Sequence, residues 1–267
     1  MGTAQTQPVG ILLRDWRRRR RLSQLDLACE AEISTRHLSF LETGRARPSR
    51  EMVLRLAEQL DIPLRERNAL LTAAGFAPVY SHSPFSDPTL AAARKAVELI
   101  LSAHEPYPAL AIDRHWNLVT ANRVVPILLA GVSVSLMQPP VNVLRLSLHP
   151  GGLAERIVNL GQWRAHLLAR LRRQVDLTGD PVLAELMTEL SDYPAPREAF
   201  ADNGYAGVVV PFQMMSDAGI LSFLSTTTIF GTPVDITLSE LAVESFFPAD
   251  AATADALRSF RLDSISA

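Results

Sequence analysis

The sequence predicts a multidomain chain, an all-α five-helix domain followed by an α+β domain, on three observations. The length of 267 residues suits one or two domains. The first 77 residues contain 13 arginines and nine acidic residues, a formal charge of +4, whereas the remainder holds 13 basic and 19 acidic residues, a charge of −6. The first part shows short apolar patterns of helical period, and the second adds apolar runs typical of strands. We therefore expect domains at 9–77 and 89–262, joined by a Pro- and Ser-rich linker at 78–88.

The first domain is predicted to contain five short helices. Leu12 and Trp16, four residues apart, indicate one face of a helix over 11–20. In the third helix Leu38 and Leu41 form an inner pair. Small polar side chains, glycines and a proline mark the remaining starts and ends: Ser23 with Asp26 as a capping box, Ser34, Gly44, Ser49, Pro63 and Gly75.

The second domain is predicted to have strands early and late, with helices in the middle. Two strands precede the central helices, and a hairpin turn at 216–219 joins the next two. The predicted helices cover 89–101, 154–174, 180–190 and 250–257, and the predicted strands cover 109–113, 117–121, 206–215, 221–229 and 239–247.

Composition excludes several classes of protein. A hydrophobic fraction of 48% is too high for a mainly disordered chain. Cys29 is the only cysteine, so no intramolecular disulfide can form; we expect it to be a small buried apolar residue in a reducing, cytoplasmic setting. No secretion signal is evident at the N-terminus. The uncharged stretch between Arg123 and Arg145 contains Pro126, Pro139 and Pro140, which predict buried core and loop rather than a membrane span.

The second and third helices match the requirements of a helix-turn-helix that binds double-stranded DNA. If Leu38 and Leu41 point inward, the outer face of the third helix presents small polar and cationic side chains to base edges. Arginine can pair bidentately with guanine, and hydroxyl groups can donate or accept. Gln24 and the arginines beyond the third helix are placed for phosphates. The candidate DNA-binding residues are Arg17, Gln24, Ser34, Thr35, Arg36, Ser39, Arg45 and Arg47.

This segment resembles the Xre/Cro-type, lambda-repressor-like helix-turn-helix family over about residues 9–75. The resemblance implies that Gln24 touches the sugar-phosphate backbone and that Glu42 pairs with an arginine of the first helix, for which Arg17 is the candidate. Glu32 stands where the family often has glycine. The carrying residues are Gln24 with Ala28, Ile33-Ser34, Leu38-Ser39, Leu41-Glu42, Gly44 and Arg47-Pro48-Ser49.

No catalytic motif is found in the second domain, so we predict no enzyme and no metal or other cofactor. The order of helices and strands resembles a PAS-like sensor. More specifically, 89–262 resembles the ligand-binding domain of MmyB-like transcription regulators, which implies a small apolar ligand such as a fatty acid. The carrying segments are Pro106-Tyr-Pro108-Ala-Leu110, Asp113 with Trp116-Asn117, Ala121-Asn122, Pro140-Val-Asn142-Val-Leu-Arg145-Leu, His149-Pro-Gly-Gly-Leu153, and Asn159, Trp163, Leu167 and Phe212.

A ligand of this kind needs an apolar cavity with a few polar groups for its head. The candidate apolar lining residues are Leu144, Leu146, Leu148, Trp163, Leu167, Phe212, Met214 and Met215, and the candidate head-group residues are Asn122, Arg145, His149 and His166.

Three alternatives remain at this point. The second domain could serve only dimerisation or partner docking, with no small-molecule ligand. The helix-turn-helix could dock a protein, as in antitoxin-like proteins, or an enzyme could be concealed in the second domain. The preferred interpretation is a homodimeric regulator, because helix-turn-helix domains usually read two half-sites.

Overall fold

The computed structural model describes residues 7–194, 210–231 and 235–260. The chain divides into two compact units. One contains the described residues up to Pro84 and those of Thr232–Ser239, and the other contains Phe85–Gly231 and the described residues from Glu240 onward. The predicted classes are confirmed, because five helices form the first unit's N-terminal region and the second unit is α+β.

The five helices of the first unit surround one apolar core that includes Leu13, Leu38, Leu41 and Leu56. Their ends follow the predicted capping signals: Ser23 and Asp26 form a capping box, and Ser34 and Ser49 accept backbone N–H bonds. Gly44 adopts a φ of 74° after the third helix. The helices are α1 (Val9–Arg19), α2 (Gln24–Glu30), α3 (Thr35–Glu42), α4 (Arg50–Gln59) and α5 (Leu64–Ala73).

A short helix formed much later in the chain also belongs to the first unit. This helix, α11 (Ile236–Ser239), follows Asp235, which forms a parallel bridge with Ser81. The Ile236 N–H donates to the Ser81 carbonyl at 2.9 Å, and the Thr237 hydroxyl donates to the Ser83 carbonyl at 2.6 Å. The sequence patterns did not predict this addition, since nothing local in 235–239 distinguishes it from a surface turn.

An antiparallel five-stranded sheet in the order β2-β1-β5-β4-β3 forms the centre of the second unit. Ser216 pairs with Gly219, which confirms the predicted hairpin turn. The strands are β1 (Ala109–Ile112), β2 (Leu118–Ala121), β3 (Phe212–Ser216), β4 (Gly219–Ile229) and β5 (Ala242–Pro248). Residues 206–209, predicted as part of a strand, lie outside the described residues.

The two faces of this sheet pack against different partners. Ala109, Ala111 and Val243 share a small cluster with α6 (Ala91–Ala103). Successive side chains of a strand point to opposite faces of the sheet. The other face carries Phe212 and Phe223, which belong to the larger core. The helices on the described part of this unit, besides α6, are α7 (Val124–Leu128), α8 (Val143–Leu148), α9 (Leu160–Thr178), α10 (Pro181–Asp192) and α12 (Ala251–Arg258).

The largest error in element boundaries concerns the long helix predicted over 154–174. Only a 3-10 turn, Ala154–Arg156, forms at its start, and α9 begins at Leu160. Ile157 instead forms an isolated bridge with Met214, and the Val158 N–H donates to the Gln213 carbonyl at 2.9 Å. Pairing with β3 therefore replaces helix in these residues, a tertiary contact that local periodicity cannot reveal.

Three further expectations are corrected or refined. The stretch between Arg123 and Arg145, predicted as core and loop, contains the short helix α7 and the start of α8. The 89–101 helix begins instead as a 3-10 turn, Pro88–Leu90, before α6. Cys29, predicted to be buried, is exposed on α2. Among the described residues, no helix is both long and apolar enough to cross a membrane.

Candidate DNA interface and ligand cavity

The helix-turn-helix is formed by α2 and α3, joined by a turn in which Glu32 has a φ of 52°. Residues other than glycine rarely adopt this left-handed backbone conformation, which explains why glycine is favoured at such a position. Gly10 lets α1 approach the end of α3 closely, because a Cβ there would lie 2.3 Å from the Leu41 carbonyl oxygen. The orientation of α3 thus depends on backbone contacts as well as on its apolar face.

A buried ion pair joins α1 to α3, and Gln24 connects α2 to it. The Arg17 Nε donates to Glu42 Oε1 at 2.7 Å and its Nη2 donates to Oε2 at 2.8 Å, which confirms the expected pairing. Arg17 Nη1 also donates to the Leu22 carbonyl, and Gln24 Nε2 donates to Glu42 Oε2, at 2.9 and 2.8 Å. Burial opposes ionisation of Glu42, but the hydrogen bonds from Arg17 and Gln24 outweigh it and lower the pKa of this carboxyl.

These contacts change the roles assigned to Arg17 and Gln24. Arg17 is 9% exposed and its guanidinium is directed at Glu42 and the Leu22 carbonyl, so these structural contacts occupy it, and its contact with DNA stays a prediction. Gln24 is half-buried and uses its amide to support Glu42. The contact of Gln24 with the DNA backbone remains an implication of the family resemblance.

The remaining candidates lie on or beside α3. Thr35 and Arg36 are exposed, Ser39 is half-buried, and the Ser34 hydroxyl caps the helix by accepting from the His37 N–H at 3.1 Å. The guanidinium carbons of Arg36 and Arg45 lie 5.3 and 5.9 Å from the centre of the Phe40 ring. Arg36 of α3 and Arg45 of the following loop therefore lie beside the same ring and form one cationic surface. Arg47, further along that loop, is exposed as well.

The second unit contains an apolar cavity between the sheet and its covering helices. About 850 Å³ of empty space, part of it open to solvent, lies among side chains from β1, β2, β3, β4, β5, α7, α8 and α9. Six of the predicted apolar residues line it, whereas Leu148 is buried elsewhere and Met215 is 49% exposed. The six are Leu144, Leu146, Trp163, Leu167, Phe212 and Met214.

The loop between β1 and β2 builds one wall of this cavity. Asp113 Oδ1 accepts from the backbone N–H groups of His115 and Asn117 at 2.8 Å, and Trp116 has a φ of 66°. The indole N–H of Trp116 donates to Gln174 Oε1 on α9 at 2.8 Å. These contacts place the Trp116 ring against the cavity, and they account for the aspartate, tryptophan and asparagine of the sequence motif.

Two further motif residues set the position of α8. Asn142 caps this helix by accepting from the Leu144 and Arg145 N–H groups, and its amide donates to the His115 carbonyl at 2.8 Å. After α8 the chain returns closely, since a Cβ on Gly152 would lie 2.2 Å from the Leu146 carbonyl oxygen. A larger residue at this glycine would displace the wall that carries Leu144 and Leu146.

The four predicted head-group residues do not line the cavity, which corrects that part of the site. The Asn122 amide donates to the Leu101 and Tyr107 carbonyls. Arg145 pairs with Glu189 at 2.6 Å. His149 Nδ1 accepts from the Gly151 N–H. His166 stacks on the Trp163 ring at 5.5 Å, and burial, together with the charges of Arg170 and Arg173, lowers its pKa.

The charged groups that do line the cavity, within the described residues, are Arg170 and Glu244. Arg170 Nη2 donates to Glu244 Oε1 at 2.6 Å, and the Thr227 hydroxyl donates to the same oxygen at 2.7 Å. A signal for both was present in the sequence. Arg170 follows Trp163 and Leu167 on one helical stripe, and Glu244 lies two residues from Phe246 on one face of a strand. A charge in either apolar pattern indicates a buried polar site.

Together, a helix-turn-helix and an α+β unit that surrounds an apolar cavity define a transcription regulator with a DNA-binding part and a ligand-binding part. The model of the "MmyB-like transcription regulator ligand binding domain" matches residues 93–260, and a "Helix-turn-helix domain" model matches residues 8–70. The chain belongs to the MmyB-like transcription regulator family. A comparison with curated proteins gave no significant match.

Proposed function

We propose that this chain is a one-component, homodimeric regulator whose affinity for double-stranded DNA changes when a small apolar ligand with an alkyl chain, such as a fatty acid or one of its neutral derivatives, fills the cavity of the second unit. The observation that carries the proposal is the cavity itself, whose lining, within the described residues, is mostly apolar and includes the charged pair Arg170 and Glu244. Apolar ligand pockets typically have this composition, with a few polar groups that orient the ligand. A ligand that prefers one arrangement of the protein shifts the population towards it.

The first experiment tests whether the cavity holds a ligand. Native mass spectrometry of the purified protein, followed by denaturing extraction, measures the oligomeric state and the mass of any bound molecule together. A dimer that carries an alkyl- or acyl-chain compound supports the proposal. A protein that carries none, and gains no thermal stability from a panel of such compounds, favours the alternative in which the second unit serves dimerisation or partner docking.

A cavity-filling variant links the bound ligand to this cavity. Leu118 is half-buried and lines the cavity, whereas Leu168 is half-buried and lies outside the lining. We expect Leu118→Trp to lose the co-purified ligand and the ligand-dependent change in DNA affinity, while Leu168→Trp retains both. Circular dichroism of both variants verifies the fold. Equal retention in the two variants would place the ligand elsewhere.

The DNA-binding part is tested on a site selected from random duplexes by the wild-type protein. We expect Arg36→Ala to reduce discrimination between this site and other duplexes by about 1–3 kcal/mol, since a bidentate base contact is lost. Arg47→Ala, the comparison variant, should weaken binding to all duplexes alike and reduce the slope of affinity against salt concentration. Duplex affinity that barely depends on salt would favour the alternative of a protein-docking module.

A further inference from the structure

The polar end of the cavity is formed by Arg170 and Glu244, which line it and are both hydrogen-bonded to Thr227 outside the lining. Arg170 on α9 donates from Nη2 to Glu244 Oε1 at 2.6 Å, and from Nη1 to Oε2 at 3.4 Å. Arg170 Nη2 also donates to the Thr227 hydroxyl at 2.9 Å, and that hydroxyl donates to Glu244 at 2.7 Å. The side chain of Glu244 is 5% exposed and that of Arg170 is 20% exposed. The Arg170–Glu244 pair therefore carries no net charge and lies largely out of water, whereas Thr227 is exposed.

The position of this pair is fixed from the side of the helix as well. The guanidinium carbon of Arg170 lies 4.8 Å from the centre of the Trp116 ring, and the Trp116 indole N–H is bound to Gln174. Three donated bonds from Arg170 go to Glu244 and Thr227. Because a guanidinium has five N–H groups, two more can be offered to an oxygen of a ligand. The guanidinium of Arg170, which lines the cavity, thus has donors left for the oxygen of a polar head group.

A carboxylate head group would meet unfavourable electrostatics beside Arg170 and Glu244. It would share the one guanidinium with Glu244, and two carboxylates in contact with one cation disfavour the ionised form of each other. The other lining residues among those described are uncharged, so they offer no second cation. His166, which packs on Trp163, lies outside the lining, and burial lowers its pKa towards the neutral form. An uncharged head group has none of these costs.

We propose that the cavity selects alkyl- or acyl-chain ligands with an uncharged, hydrogen-bond-accepting head, such as an alcohol or an ester, over the free carboxylate of equal chain length. Glu244 is the specificity-determining residue, because it already neutralises Arg170. This inference rests on the proposed function and narrows the class of ligand. It makes the bare fatty-acid anion the weaker ligand of the series.

The test compares dodecanol, methyl dodecanoate and dodecanoate as competitors of a fluorescent apolar probe bound to the full chain. All measurements are made below micelle formation and at a pH where the free acid is ionised. We expect the alcohol and the ester to displace the probe at concentrations about tenfold lower than dodecanoate, as burial of a poorly paired charge weakens the latter. This comparison uses the wild-type protein and does not depend on the folding of any variant.

A charge substitution tests the assigned residue. Glu244→Gln keeps the shape and a hydrogen-bonding group but leaves Arg170 with its positive charge. We expect dodecanoate to gain about tenfold in affinity, with the alcohol changed by less than about threefold. Glu189→Gln removes the carboxylate from the Arg145 pair outside the cavity lining, and it should change neither ligand.

The outcomes separate this inference from the function on which it rests. Tighter wild-type binding of dodecanoate than of the alcohol, or an equal change of both ligands in Glu244→Gln, overturns the head-group preference but leaves an apolar ligand in place. Failure of all three dodecyl compounds to displace the probe counts against the alkyl-chain ligand itself. Preference for the uncharged compounds in the wild type, reversed or abolished in Glu244→Gln, supports the inference.

Discussion

Each unit of the chain contains a buried arginine–glutamate pair supported by a third polar side chain, but the two pairs have different surroundings. Arg17 and Glu42 are joined to Gln24 within the packed helical core, and their side chains are 11% and 1% exposed. Arg170 and Glu244 are joined to Thr227 and line a cavity, with exposures of 20% and 5%. The bond lengths, 2.7 and 2.6 Å, hardly distinguish them. The surroundings of each pair therefore differ in kind. The Arg17–Glu42 pair lies in a packed core and can only stabilise the fold, whereas the Arg170–Glu244 pair lies at a cavity and can contact a ligand.

The largest effect is expected when the first pair is broken. Glu42→Gln leaves the buried Arg17 guanidinium without its counter-charge, and such a loss typically costs about 3–5 kcal/mol. Because domains are stable by only about 5–15 kcal/mol, the helical unit should lose a large part of its stability. Urea unfolding followed by circular dichroism measures the shift, and duplex binding should weaken in parallel.

An apolar replacement of both partners is the control for this variant. Arg17→Met/Glu42→Leu removes both buried charges, and such exchanges are often neutral or stabilising. It should therefore unfold close to the wild type. A double variant as unstable as Glu42→Gln would show that the hydrogen bonds themselves, rather than the uncompensated charge, determine the stability of the three-helix contact.

A smaller loss of stability is expected when the Arg170–Glu244 pair is broken in the same way. In Glu244→Gln the guanidinium of Arg170 keeps the Thr227 hydroxyl and the Trp116 ring, and its greater exposure admits solvent. We expect a cost of about 1.5–3 kcal/mol, the range for a lost hydrogen bond to a charged group. The same urea measurement applies. A cost equal to that of Glu42→Gln would mean that the cavity excludes water from the pair.

The sequence allowed the first pair to be predicted and the second to be missed, for a physical reason. The helical unit is built from local signals, such as the Ser23 capping box and the glycine after α3, and its pair was implied by the resemblance to the Xre/Cro-type helix-turn-helix family. The cavity is built by contacts between residues far apart in the chain, such as Arg170 with Glu244. Local patterns identified six apolar wall residues but assigned the polar end to Asn122, Arg145, His149 and His166, which are satisfied elsewhere.

The smallest expected effect is the dependence of stability on pH that the Glu42 carboxyl contributes. The pKa of Glu42 is lowered by hydrogen bonds from Arg17 and Gln24 that outweigh the opposing effect of burial. A carboxyl whose pKa is lower in the folded state stabilises the fold above its unfolded-state pKa, near the ordinary value of 4.5, and loses this contribution as the pH falls through its folded-state pKa. The unfolding midpoint of the wild type should therefore decrease below about pH 4.5 more steeply than that of Arg17→Met/Glu42→Leu.

Subtraction of the two pH profiles isolates Glu42 from the other carboxyls with lowered pKa values, such as Asp180 and Glu189, because both proteins contain them. The difference should be constant near neutral pH and change in the acidic range. Parallel profiles throughout would show that ionisation of Glu42 contributes no stability to the folded helical unit. In that case the Arg17–Glu42 pair would serve the geometry of α1 and α3 alone, and the contrast with the cavity pair would rest on ligand access and not on stability.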